Sequence, residues 1–118
     1  MGTIAPKTLA KKIIRLIWQK KAENIALLNL KKLSGLADYF VICSVGSDVQ
    51  ARVVADAVIE GLKKKGYISH VEGYDSGRWI LIDCFAVVVH IFDPEVRDYY
   101  SLERLWGDAP REEYPDGV

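Results

Sequence analysis

The chain has 118 residues, half of them hydrophobic, which is enough to bury one core and too few for a second folded domain. Sixteen basic residues balance sixteen acidic ones, so there is no bulk electrostatic pull toward nucleic acid, and no primary nucleic-acid contact is expected. The charge is unevenly placed: residues 1–35 hold eight basic groups and one acid, residues 93–118 three basic groups and eight acids, so the two ends either attract each other or face different partners.

The opening residues hold no long apolar stretch, and Pro6 stands where a myristoylation signal needs Ser or Thr; a cytoplasmic protein without membrane contact is expected. From Thr8 to Lys21, Leu9, Ile13, Leu16 and Ile17 recur at helical spacing opposite lysines and Arg15. Ile14 and Trp18 widen that apolar face, which either packs on the body or is covered by a second copy in a homodimer of the free protein. Ile25–Leu30 and Tyr39–Ser44 read as strands. Ser47 with Gln50 three residues on forms a capping box that opens a helix running to about Lys65, where Gly66 supplies the left-handed stop. Ile68–Glu72, Trp79–Asp83 and Val87–Phe92 follow as three more strands, the last two adjacent and antiparallel. Asp93-Pro94 starts a final helical segment, Glu95–Trp106. Cys43 and Cys84 lie inside apolar strands and match neither a CxxC pair nor a zinc pattern, so they read as two reduced, buried thiols.

The expected fold is therefore α/β (α+β): one mixed sheet of about five strands flanked by helices, in the order αββαβββα. Residues 1–108 form a single domain, and 109–118, with two prolines and no apolar periodicity, form a flexible acidic tail. The helix after the second strand permits a parallel crossover to the third.

Four pieces of the chain, in order, resemble the ribosomal silencing factor (Iojap-like) family: LADYFVICSVGS (36–47), VEGYDSGRW (71–79), VVVHIFDPEVRDYY (87–100) and LERLWGDA (102–109). Their order and spacing carry the resemblance, which extends over nearly everything between the first strand and the tail. It implies a sheet related to the nucleotidyltransferase fold without its catalysis, and no cofactor or metal. It also implies one partner, the large-subunit ribosomal protein numbered fourteen, on the face that otherwise meets the small subunit. Docking there obstructs subunit joining and lowers translation when nutrients are scarce. Two departures stand out: Asn29 replaces the family's usual aspartate, and Cys84-Phe85-Ala86 replaces its Tyr-Gly-Asp turn, which removes the residue that tolerates positive φ.

An enzymatic alternative rests on Gly46 and Ser47, which look like the phosphate-holding pair of nucleotidyltransferases, with Asp83 as a metal-binding carboxylate on a neighbouring strand. No D-x-D pair accompanies them, and a helix cap accounts for Ser47 equally. His90 shares a strand face with Val88 and Phe92 and reads as a packed or partner-facing ring rather than a base; His70 reads as a surface residue. The expected partner-binding set is Trp79, His90, Tyr99, Tyr100, Leu102, Glu103, Leu105 and Trp106, because large rigid rings bury much area at little entropic cost. On one helix Leu102, Leu105 and Trp106 would share a side, facing either the sheet or the partner, and Glu103 is the acid best placed to meet a basic ribosomal protein. Lys7, Lys11, Lys12, Lys20 and Lys21 lack interleaved aromatics and read as a solvated helix face.

Overall fold

The computed structural model describes residues 4–114. Helix α1 (Pro6–Gln19) begins on Pro6, whose missing N–H costs nothing in a first turn, and buries Leu9, Ala10, Ile13, Ile14 and Ile17. Ile14 is thus core rather than a dimer contact, and of that pair only Trp18 is exposed. Helix α2 (Asp48–Leu62) carries the capping box: Gln50 N–H donates to Ser47 Oγ at 3.0 Å, and Gly46 N–H donates to Gln50 Oε1 at 2.7 Å. Gln50 Nε2 also donates to the carbonyl of Lys21 at 3.1 Å, joining the start of α2 to the end of α1. The helix ends in a short 3-10 turn, Lys63–Lys65, closed by Gly66 at φ +74°.

The strands are β1 (Glu23–Asn29), β2 (Tyr39–Ser44), β3 (His70–Glu72), β4 (Trp79–Cys84), β5 (Val87–Phe92) and β6 (Arg111–Tyr114), in one sheet ordered β3-β4-β5-β2-β1-β6. Among the described residues only β2 and β5 pair in parallel. The crossover through α2 therefore reaches the fifth strand, not the third. β3 is three residues long with His70 and Glu72 exposed, a composition suited to an edge, whereas the apolar run of β5 suits the sheet centre.

Alternation sorts the central strands onto two faces. Val41, Cys43, Val87, Val89, Ile91, Ile80 and Ile82 point toward α1 and α2 and form the main core. Leu28, Ile42 and Phe92 point the other way into a smaller cluster with Leu30 and Ala109, where Phe40, Trp79, Val96, Leu102 and Trp106 are partly buried. The segment covering this second face is not the single helix expected over Glu95–Trp106. It divides into α3 (Pro94–Tyr100) and α4 (Leu102–Leu105) at Ser101, which adopts φ +48°. The break turns Leu102 and Trp106 onto the sheet and leaves Leu105 70% exposed, so the three do not share a side.

The segment expected as a loose tail supplies the sixth strand. β6 is too polar to be recognised by strand propensity; it forms by antiparallel pairing along the free edge of β1. Lys7 and Lys11 reach Glu112 at 3.5 and 3.3 Å, and Lys11 Nζ donates to Tyr114 Oη at 2.6 Å, so the basic start and acidic end attract each other here. Residues 115–118 of that expected tail lie outside the described residues.

The β4–β5 turn places Phe85 at φ +66°, with its N–H donating to Asp83 Oδ1 at 2.9 Å and its ring exposed. A side chain in the left-handed region costs about 1–2 kcal/mol, partly offset in any glycine variant by the entropy that glycine gains when unfolded. Phe85→Gly is expected to raise the unfolding free energy by about 0.5–1 kcal/mol in urea titration. A loss of stability would show that the exposed ring makes a net stabilising contact.

Candidate docking surface

Trp79 opens β4 opposite Phe92 of β5, and the two rings lie 4.9 Å apart. The ring of Tyr100 at the end of α3 lies 4.8 Å from the indole, and Tyr99 meets Tyr100 edge-on at 5.0 Å. Exposure rises outward along this row: Phe92 is buried, Trp79 half-buried, Tyr100 52% and Tyr99 82% exposed. The result is an aromatic ledge rooted in the smaller core, beside a hollow of about 250 Å³ lined by Arg78, Glu95, Val96, Tyr99 and Tyr100. Large rings anchored in this way keep their hydrophobic area available without the entropic cost of ordering it.

Backbone geometry holds the ledge at both ends. Gly73 sits at φ +78°, and a Cβ there would lie 2.1 Å from the Trp79 carbonyl oxygen, so only glycine closes the turn that delivers Trp79. Asp93 caps α3 by accepting from Glu95 N–H at 3.0 Å, its own N–H donates to the Arg78 carbonyl at 2.8 Å, and its carboxylate pairs with Arg78 Nε at 3.3 Å.

His90, expected on the partner-facing set, is only 3% exposed. It lies on the Trp79 side of β5 with Ile42 and Leu81 across the strands, and Phe40 meets it edge-on at 4.5 Å. The Trp79 indole N–H donates to Nδ1 at 3.1 Å, which assigns the ring proton to Nε2. Burial drives its pKa down to about 4, with the nearby Glu103 carboxylate pulling weakly the other way, so the ring is neutral. Strand alternation identified the face on which His90 lies but not that α3 and α4 would cover it.

Glu103 faces inward as well. It accepts from Arg97 Nε at 3.0 Å and Nη2 at 2.7 Å, with Arg111 at 3.9 Å, while Arg97 Nη1 donates to the Asn24 carbonyl at 2.7 Å and to Ser44 Oγ at 2.9 Å. Arg97, which sequence reasoning passed over, is thus the hub joining α3 and α4 to the ends of β1 and β2. It borders an open groove of about 770 Å³ in which arginines and carboxylates alternate. Of the remaining expected residues, Trp106 is half-buried, edge-on to Phe40 at 6.3 Å, and Leu102, the first residue of α4, packs on the smaller core. Neither is part of the row formed by Trp79, Tyr100 and Tyr99.

The residues of the enzymatic alternative are not brought together. Gly46 and Ser47 follow Ser44, which pairs with Phe92 at one end of β5, whereas Asp83 pairs with Val88 near the other end. Ser47 Oγ is engaged in the cap of α2, and among the described residues no three His, Cys, Asp or Glu side chains converge as a metal site. Both thiols are free and buried, and burial pushes each up to about 12, which leaves them protonated and unreactive. No helix among the described residues is long and apolar enough to cross a membrane.

The family described as "Ribosomal silencing factor during starvation" matches residues 3–117. The chain is 46% identical to the ribosomal silencing factor RsfS of Halalkalibacterium halodurans, over 77% of this chain and 79% of that one. It is 44% identical to RsfS of Bacillus subtilis over 77% and 78%. A crystallised protein from Chromobacterium violaceum superposes with a TM-score of 0.85 at 35% identity, covering 88% of each chain. With the match running from the first helix through the sixth strand, the chain belongs to the ribosomal silencing factor family.

Proposed function

We propose that the chain docks on the large ribosomal subunit through the large-subunit ribosomal protein numbered fourteen, obstructs joining of the small subunit, and so represses translation under nutrient limitation. The action is steric, uses neither catalysis nor cofactor, and takes place in the cytoplasm. The observation that carries the reading is the ledge of Trp79, Tyr100 and Tyr99, whose exposed rings are the kind of anchor that dominates protein interfaces. Family membership supports the ribosomal setting.

Tyr99 gives the cleanest test, since its exposure separates binding from folding. Tyr99→Ala combined with Tyr100→Ala is expected to weaken co-sedimentation with isolated large subunits about 30-fold, roughly 2 kcal/mol, with an unchanged circular dichroism spectrum. Wild-type affinity in that double variant would remove the ledge from the docking surface.

A further inference from the structure

We infer that His90 is a positioning residue for docking: it fixes the indole of Trp79 in the orientation the ledge presents, at a cost to the stability of the fold. The inference rests on the docking reading above. Trp79 Nε1–H is the indole's single polar group, and a half-buried indole needs an acceptor for it; His90 Nδ1 provides one at 3.1 Å. That arrangement leaves the Nε2–H of His90 buried with no hydrogen-bond partner among the described residues. An unpartnered buried donor is destabilising, whereas an apolar ring of similar shape would be neutral or stabilising.

Packing alone therefore favours phenylalanine or leucine at this position, among Phe40, Ile42, Leu81 and Phe92. What the imidazole supplies and an apolar ring does not is the acceptor. Without it, the indole is free to turn over about its Cβ–Cγ bond and bring its N–H to solvent, which changes the edge laid against Tyr100 at 4.8 Å. A buried polar side chain at a position whose packing suits an apolar one, joined by a hydrogen bond to the anchor of the ledge, points to a functional constraint.

The test compares His90→Phe, which keeps a ring and removes the acceptor, with His90→Asn, whose amide oxygen lies near the position of Nδ1. Nitrogen-15 NMR of the Trp79 indole N–H, urea unfolding and co-sedimentation with large subunits are read on each variant. In His90→Phe the indole resonance is expected to move upfield and exchange faster with solvent, stability to match or exceed the parent, and affinity to fall about 10-fold. His90→Asn is expected to restore the indole shift in part and affinity to within about 3-fold. An unmoved indole resonance, unchanged affinity, or lower stability in His90→Phe would each overturn the inference. If Tyr99→Ala and Trp79→Ala also bind like the parent, the docking reading falls with it; if they bind weakly while His90→Phe binds normally, only the positioning role falls.

Discussion

Arg97→Ala is expected to lower the unfolding free energy by about 3 kcal/mol at neutral pH, measured by urea titration. The Arg97 and Glu103 side chains retain only 13% and 15% of their exposure, and the guanidinium satisfies four contacts at once: two to Glu103, one to Ser44 Oγ and one to the Asn24 carbonyl. Truncation strands all of these. Ser44 is itself buried, and among the described residues Glu103 keeps only Arg111 at 3.9 Å. Breaking a buried pair from one side costs about 3–5 kcal/mol, and the residual exposure places this pair at the lower end.

The same physics separates pair from partner. Replacing Arg97 and Glu103 together by leucine removes the orphaned charge, so the double variant should recover much of the loss. Arg97→Lys keeps the charge but not the planar fork that reaches Glu103 and Ser44 together, and it should fall between the parent and the alanine variant. A loss under about 1 kcal/mol in Arg97→Ala would mark the cluster as an ordinary solvated ion pair. Because α3 carries Tyr99 and Tyr100, loosening the clamp should also weaken docking, and the stability measurement shows how far.

Much of this clamp was hidden in the sequence for a definable reason. Arg97 and Glu103 are six residues apart, a spacing that puts no two side chains together on a continuous helix; they meet only because Ser101 breaks the helix in a left-handed conformation without glycine. The same break sends Leu105 outward while Leu102 and Trp106 stay on the sheet. Local chemistry, by contrast, was legible: the bounds of β2 and β5, the Ser47–Gln50 cap and the burial of Cys43 and Cys84 all follow from propensity, alternation and capping. β6 was not, because three of its four residues are charged and it becomes a strand only through the edge of β1 and the lysines of α1. Of the ledge, Trp79, Tyr99 and Tyr100 could be named from residue type, but their mutual stacking depends on Gly73 and on where α3 lands.

The burial of His90 leads to a second large effect, a loss of stability in mild acid. The folded protein holds this imidazole at about 4, against an ordinary value of 6.5. As pH falls through 6.5 the unfolded chain takes up a proton there and the folded chain does not, so the unfolded state is favoured progressively until the folded ring titrates near 4. This group therefore sets no penalty against the fold above pH 6.5, and the penalty grows below it to roughly 3 kcal/mol across the window. Glu103, the charged group that acts on the ring, favours the protonated form and trims the effect. Carboxylates contribute at lower pH: Asp48 beside Arg52, and Glu112 bonded to Tyr114 and Lys11, are held below their ordinary values of 3.8 and 4.5, so their stabilising contributions fade only as the medium becomes more acid than that. The interval from pH 6.5 to about 4.5 therefore reports on the His90 imidazole, and His90→Phe should flatten the slope there. A stability that is level from pH 6.5 to 4.5 in the parent, or a slope that survives in His90→Phe, would show that the ring accepts its proton without disturbing the fold.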